Sequence, residues 1–391
     1  MPSLYFDYHA STPVDPIVIE KMTAAMHEIY GNPHSDDHSY GWAAQKRIDT
    51  ARKCVAQLIN ADSDEIVFTS GATESNNLAI LGLCRGIEKN PIYKNTKRQI
   101  IVSSVEHKCI LSAAAAHGKR GWTIDQVPVD NSGLIDVNRL HSLMSENTAM
   151  VAVMAVNNEV GTIQPLSEIS TLCGQYGALF HCDAAQAPTA LDLDVSTQKI
   201  DTLSLSAHKM YGPKGIGALY IKRALQEHIE PIMYGGGQEN GIRPGTLATP
   251  LCVGFGEAAK LMISTDQQLE RKRVETLRDY FWKTLKSETP TCKLNGSNIH
   301  RHPGNLNIQF PDVDAHHLIG KLQPRLAISS GSACTTGIPE PSHVLTAIGL
   351  DKQQAESSVR MGLGRFTTQR DVENALGYLV EAIKECDYAI A

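Results

Sequence analysis

Two side chains in this sequence have the makings of nucleophiles. Lys209 lies in Ser206-Ala207-His208-Lys209-Met210-Tyr211-Gly212, between an apolar run from Ile200 to Leu205 and a second from Ala218 to Ile221. The first run reads as a buried strand end, and Gly212, Pro213, Gly215 and Gly217 read as a turn. Lys209 is therefore expected on a loop at the mouth of a sheet, behind a hydroxyl and an imidazole. Desolvation lowers a lysine pKa and frees the amine, whose natural use is a Schiff base, most often with pyridoxal phosphate (PLP). The plainer reading is a solvent-facing lysine in a turn. Cys334 lies in Ser329-Ser330-Gly331-Ser332-Ala333-Cys334-Thr335-Thr336-Gly337, among small polar residues unlike the apolar settings of Cys84 or Cys252. That predicts an exposed thiol on a mobile loop, reactive once deprotonated. The plainer reading is an idle surface cysteine.

Other polar stretches fall just past apolar runs. Ser70-Gly71-Ala72-Thr73-Glu74-Ser75 is a glycine turn into a helix start, which offers N–H groups, a positive dipole end and the Thr73 hydroxyl to an anion. An ordinary helix cap would look the same. His107, in Glu106-His107-Lys108, is expected over the sheet edge, where an imidazole can stack on an aromatic ring or bond a nearby loop. Asn157-Asn158-Glu159-Val160-Gly161 offers two amides at a strand end, or simply a turn. Asp183 ends a strand in His181-Cys182-Asp183-Ala184-Ala185-Gln186 and needs a cationic or donor partner. A protonated pyridine nitrogen would be such a partner, and capping of the next helix is the alternative. The glycine-dense stretch from Gly235 to Thr246 must be a loop with unusual backbone angles, either a phosphate-reaching loop through Thr246 or a flexible surface one. Arg360 and Arg365 each carry a fork suited to a carboxylate, and one of them is expected in a structural ion pair.

These residues need a frame. Strands are predicted at Glu65–Thr69, Gln99–Ser103, Thr123–Val127, Met150–Val156, Ala178–Asp183, Thr202–Leu205 and Gly217–Ile221, with helical stretches between most of them. That alternation predicts an α/β fold with a mostly parallel seven-stranded sheet and helices on both faces, which binds ligands at the strands' carboxyl ends. After about residue 260 the texture changes. A charged helix is predicted over Asp266–Lys286, strands over Asn305–Phe310 and Leu326–Ser329, and a helix over Ala315–Leu322. A last helix starts near Thr368, with Val372, Ala375, Leu376, Leu379, Val380 and Ile383 on one face. The expected division is a large domain over 13–259 and a smaller α+β domain over 260–391, joined by residues 1–12.

Composition narrows the function classes. At 391 residues, with 42% hydrophobic and 20% charged residues, the chain suits a globular protein of two domains. A net charge of −6 argues against a broad nucleic-acid surface. The N-terminus has no signal-peptide pattern and no apolar run is long enough to cross a bilayer. The nine cysteines are scattered, without C-x-x-C. They predict a reducing, cytoplasmic setting with neither a disulfide framework nor a metal site.

Five motifs occur in order along the chain: Gly71-Ala72-Thr73-Glu74-Ser75, Asp183-Ala184-Ala185-Gln186, Ser206-Ala207-His208-Lys209, Gly235-Gly236-Gly237-Gln238-Glu239 and Ser329-Ser330-Gly331-Ser332-Ala333-Cys334. Together they resemble the cysteine desulfurases of the NifS/IscS type, in the class V aminotransferase group of fold-type I PLP enzymes. The resemblance runs from Tyr5-Phe6-Asp7 to Thr367-Thr368. It implies that Lys209 carries PLP as a Schiff base, that Asp183 pairs with the pyridine nitrogen and that His107 stacks on the ring. Gln186 would bond the phenolic oxygen, with Asn158 beside it. Ala72, Thr73, Ser206, His208 and a Thr246 from the second subunit of a homodimer would hold the phosphate. Arg360 matches the family's carboxylate-binding arginine better than Arg365, and Asn32 lies in a stretch placed near the substrate. Gly362 stands where the family usually has serine.

The implied activity converts L-cysteine to L-alanine. The sulfur is held as a persulfide on Cys334 and passed to an acceptor protein for iron–sulfur cluster, tRNA or DNA sulfur modification. The chain stops at Ala391, short of the tail with which IscS-type members dock a scaffold, so a more specialised acceptor is an expectation. The rivals are a selenocysteine lyase or cysteine sulfinate desulfinase on the same fold, a transaminase, and a non-catalytic binding subunit.

Overall fold

The apolar runs come together as one seven-stranded sheet. The structure is a computed structural model that describes residues 3–91, 96–264, 266–330 and 341–388. After a short first strand, β1 (Leu4–Tyr5), come β2 (Ile66–Thr69), β3 (Gln99–Ser103), β4 (Thr123–Val127), β5 (Thr148–Ala152), β6 (Leu179–Asp183), β7 (Thr202–Ser206) and β8 (Gly217–Ile221). The order across the sheet is β2-β8-β7-β6-β5-β3-β4, and β8 alone runs opposite to the other six strands. Alternate residues sort to opposite faces, as the period of a strand requires. Ile101 and Val151 pack into one apolar cluster, and Ile100, Val102 and Met150 into another behind the sheet. Helices cover both faces, so the inner strands are buried throughout.

One predicted strand is displaced. The run over 150–156 is continuously apolar, but its ladder is Thr148–Ala152. Residues 153–156 stay buried while their N–H groups turn to other partners: Val153 donates to the His181 carbonyl and Ala155 to that of Asp183. Apolar composition reports burial, not pairing. The swerve lifts Asn157 and Asn158 over the carboxyl ends of β5 and β6.

The C-terminal elements build a second core. Strands β9 (Lys293–Leu294), β10 (Asn305–Gln309) and β12 (Ser358–Gly362) form an antiparallel sheet in the order β12-β10-β9. The helices Asp266–Glu288, Ala315–Leu322 and Gln369–Tyr388 pack on it through Phe281, Leu318 and Leu379. The N-terminal segment joins this core: Phe6 is buried in it, and β1 pairs in parallel with β11 (Leu326–Ala327). The predicted strand over 326–329 stops there, because Ser329 bridges Arg360 instead. Residue Cys334 and its neighbours over 331–340 lie outside the described residues. No described helix is long and apolar enough to cross a membrane.

Candidate active site

The connection from β7 to β8 is tight because the two strands are antiparallel neighbours. A single 3-10 turn, Ala207–Lys209, carries the chain out and Tyr211 turns it back with a φ of 65°. Gly217 opens β8 where a side chain could not fit. An added Cβ would lie 2.5 Å from the Leu205 carbonyl oxygen and 2.6 Å from Gly71 Cα. That approach brings the Gly71 loop and the Lys209 turn to the same rim. Between them lies a cleft of about 920 Å³ at the carboxyl ends of the parallel strands, lined also by the N-terminal segment and by β12.

The sequence-predicted residues mostly converge here. Ala72, Thr73, His107, Asn158, Asp183, Gln186, Ser206, His208, Lys209 and Arg360 all line the cleft. The Lys209 amine donates to the carbonyls of His9, at 2.6 Å, and Ala10, at 2.8 Å. Burial, followed by the Arg360 charge, pushes its pKa down to about 8. The unfolded chain holds that proton more tightly. The cost of burying the charge is therefore full below about pH 8 and fades towards the unfolded value near ~10.4. Reductive methylation of the cofactor-free protein should accordingly label Lys209 with a midpoint near pH 8. Exposed lysines should follow near ~10.4. A Lys209 midpoint above 10 would contradict the buried setting.

Asp183 has two differently occupied oxygens. Oδ2 accepts from the Asn76 amide at 2.7 Å, and Oδ1 from the Ala185 N–H at 3.0 Å. Asn76 Oδ1 lies 3.0 Å from His181 Nε2, whose other nitrogen meets the Thr202 hydroxyl at 2.9 Å. Asn76 must donate to the carboxylate, so His181 donates to Asn76 and Thr202 donates to His181. His107 caps the helix Lys108–Gly118 by accepting the Cys109 N–H on Nδ1 at 3.2 Å, which leaves its proton on Nε2 when neutral. Burial lowers its pKa. Burial also brings the His208 pKa down to about 4 and pushes that of Cys109, which lines the cleft beside His107, up to about 12.

The paired candidates differ in their partners. Asn157 is buried and spent on the chain, its amide donating to the Val105 carbonyl and its oxygen accepting from Glu159 and Val160. Asn158 is the one that lines the cleft. The Arg365 guanidinium is consumed by Asp15, Glu270 and Gln267 and stacks on Tyr211. Arg360 lines the cleft, donating to Asp7 at 2.9 Å and to the Asn158 carbonyl at 3.1 Å, with its buried Nε unpartnered among the described residues. The glycine-rich loop is pinned. Glu239 takes both Arg52 nitrogens and the Phe68 N–H, and Arg243 pairs with Glu74 in the Gly71 loop. Thr246 is exposed and, like the exposed Asn32, does not line the cleft of its own chain. Sequence reasoning missed Asp7, His9, Asn76 and Cys109, which carry no local motif.

The chain can now be set beside known proteins. The aminotransferase class-V family model matches residues 4–375. The chain is a class V aminotransferase-family protein, of the NifS/IscS cysteine desulfurase type. It is 47% identical to the mitochondrial cysteine desulfurase of Saccharomyces cerevisiae, across 98% of this chain and 74% of that one. Among solved structures, a NifS-like protein superposes with a TM-score of 0.90 at 32% identity, covering 98% of this chain and all of its own. SspA, solved in complex with cysteine, gives a TM-score of 0.81 at 37% identity, over 94% of this chain and 100% of its own. Gly362 lies against His9: a Cβ there would lie 2.9 Å from the ring's Cδ2.

Proposed function

We propose that this desulfurase takes the sulfur of L-cysteine onto Cys334 and releases L-alanine, using PLP bound in the cleft. The observation that carries the reading is a desolvated amine and a buried carboxylate, Lys209 and Asp183, on one rim with the glycine turn at Gly71 that opens a helix. The cleft suits PLP in its donor set. The first-turn N–H groups at Ala72 and Thr73, with the hydroxyls of Thr73 and Ser206, suit a phosphate. Asp183 suits a protonated ring nitrogen, and Lys209 suits the aldehyde. When bound, PLP supplies an electron sink for the charge left at the substrate α-carbon.

The residues divide the remaining work. With PLP bound, His107 would cover the ring and Gln186 would meet its phenolic oxygen, with Asn158 alongside. Ser206 and His208 would close the phosphate end, joined by Thr246 of the partner subunit in a homodimer. The exposure of Thr246, on a loop pinned beside the Gly71 loop, supports that last role. Arg360 meets the substrate carboxylate, and Asn32 borders the entrance. Lys209, once its amine is free, removes the α-proton, and His107 moves protons near the sulfur. The Cys334 thiolate attacks the substrate sulfur. The carbon–sulfur bond breaks, the carbon takes up a proton and is reduced, and sulfur is oxidised to a persulfide, so that cysteine plus thiol gives alanine plus persulfide. An acceptor protein then takes the sulfur. The scattered cysteines, without C-x-x-C, suit a reducing compartment, and a cytoplasmic one is our reading.

The assay that tests this supplies purified protein with L-cysteine alone and measures alanine and protein persulfide. Equal amounts of both in the first turnover are expected. A requirement for a keto acid would make the chain a transaminase, and alanine without any persulfide would make it a lyase.

The arginine assignment has its own test. Arg360→Gln should raise KM for L-cysteine about 100-fold, the loss of one charge-assisted contact, with a smaller change in kcat. Arg365→Gln should leave KM alone and lower the Tm, because it breaks two ion pairs outside the cleft. A KM effect of Arg365→Gln equal to that of Arg360→Gln would overturn the distinction.

A further inference from the structure

His9 is buried, lines the cleft, and touches two residues of the proposed site at once. Its carbonyl accepts from the Lys209 amine and, at 2.9 Å, from Gln186 Nε2. Its ring Nδ1 lies 3.2 Å from Gln186 Oε1. These contacts admit one assignment of hydrogens. The His9 carbonyl can only accept, so the NH2 end of Gln186 must face it. Oε1 then faces Nδ1, and two acceptors cannot meet there, so Nδ1 carries the proton. Nε2 is left bare, buried and without a partner among the described residues.

The surroundings hold the ring in this neutral form. His302 lies edge-on at 4.6 Å between centroids, and Arg360 and Lys209 supply positive charge nearby. Burial and these neighbours set the His9 pKa well below the usual histidine range. Gly362 makes room for the ring: a Cβ there would lie 2.9 Å from His9 Cδ2 and from the Tyr8 nitrogen.

We propose that His9 is a positioning residue, whose Nδ1–H and carbonyl clamp the Gln186 amide so that it presents an N–H, rather than its oxygen, to the cleft. Resting on the PLP reading above, that N–H meets the phenolic oxygen of the cofactor and takes up part of its charge. A proton shared beside that oxygen is then held less tightly.

The test is a pH titration of the visible band of the PLP-loaded enzyme. His9→Ala removes the ring donor, leaves the carbonyl, and lets the amide loosen; the midpoint should rise by about one pH unit, a tenfold change in proton affinity. His9→Asn, which keeps a donor toward Oε1, should restore most of the wild-type midpoint. Nitrogen-15 NMR of histidine-labelled wild type, with the His9 signal assigned by its loss in His9→Asn, should show the Nδ1–H tautomer. A band intact in His9→Ala with an unmoved midpoint would overturn the proposal. So would an Nε2–H tautomer in the wild type, even if the alanine variant failed to fold. Absence of any visible band in the wild type would instead overturn the PLP reading itself.

Discussion

Lys209→Ala protein should fold, bind L-cysteine and release essentially no alanine. The turn that carries Lys209 is set by the antiparallel β7–β8 pairing and by the positive φ at Tyr211, neither of which needs the lysine side chain. The substitution removes two hydrogen bonds to the carbonyls of His9 and Ala10, and the first of these keeps its bond from Gln186. The structural loss is therefore modest. The chemical loss is large under the proposed function, in which one amine would both anchor the cofactor and move the α-proton. A fall in kcat of about 10²- to 10⁴-fold is expected from losing a positioned general base alone, and loss of the cofactor's anchor adds to it. A small primary amine added to the assay should recover part of the proton transfer. Turnover within tenfold of the wild type would remove Lys209 from the mechanism.

Cys334→Ala should separate the early chemistry from sulfur capture. In this variant L-cysteine should still perturb the visible spectrum, because the proposed binding and α-proton removal do not use the Cys334 thiol. Protein persulfide should vanish, and alanine formation should fall by about 10³-fold or more, since the substrate sulfur has lost its nucleophile. Cys109 is the informative internal control. It too lines the cleft, yet burial holds its thiol pKa up at about 12, so little of it is thiolate near neutrality. Persulfide found on Cys109 in the Cys334→Ala protein at wild-type rate would contradict the assignment of Cys334.

Why some of the site was legible and some not follows from how each residue is placed. Lys209, Asp183 and Ala72–Thr73 sit directly after apolar runs, so strand periodicity alone put them at a sheet edge. The boundaries of six predicted sheet strands fall within two residues of the observed ones. The seventh ran too far, because residues 153–156 are buried without being paired in the ladder. Asn157 and Asn158 are chemically alike, and only their partners tell them apart: Asn157 satisfies buried backbone groups, while Asn158 faces the cleft. Arg360 and Arg365 separate for the same reason, through acids that lie far away in sequence. The glycine-rich loop looked free because glycine content reports backbone angles and says nothing of Arg52, which bolts Glu239 in place. His9 and Asn76 had no signal. His9 touches Gln186 and Lys209 from 177 and 200 positions away in sequence, and its ring packs where position 362 has no side chain.

The measurement that bears most directly on the central claim is a single-turnover reaction with sulfur-34-labelled L-cysteine. The protein would be alkylated at once, digested and read by mass spectrometry while alanine is counted. One labelled sulfur on Cys334 for each alanine released is the result this account predicts. Alanine released in full with the label free in solution, and Cys334 unmodified, would contradict it.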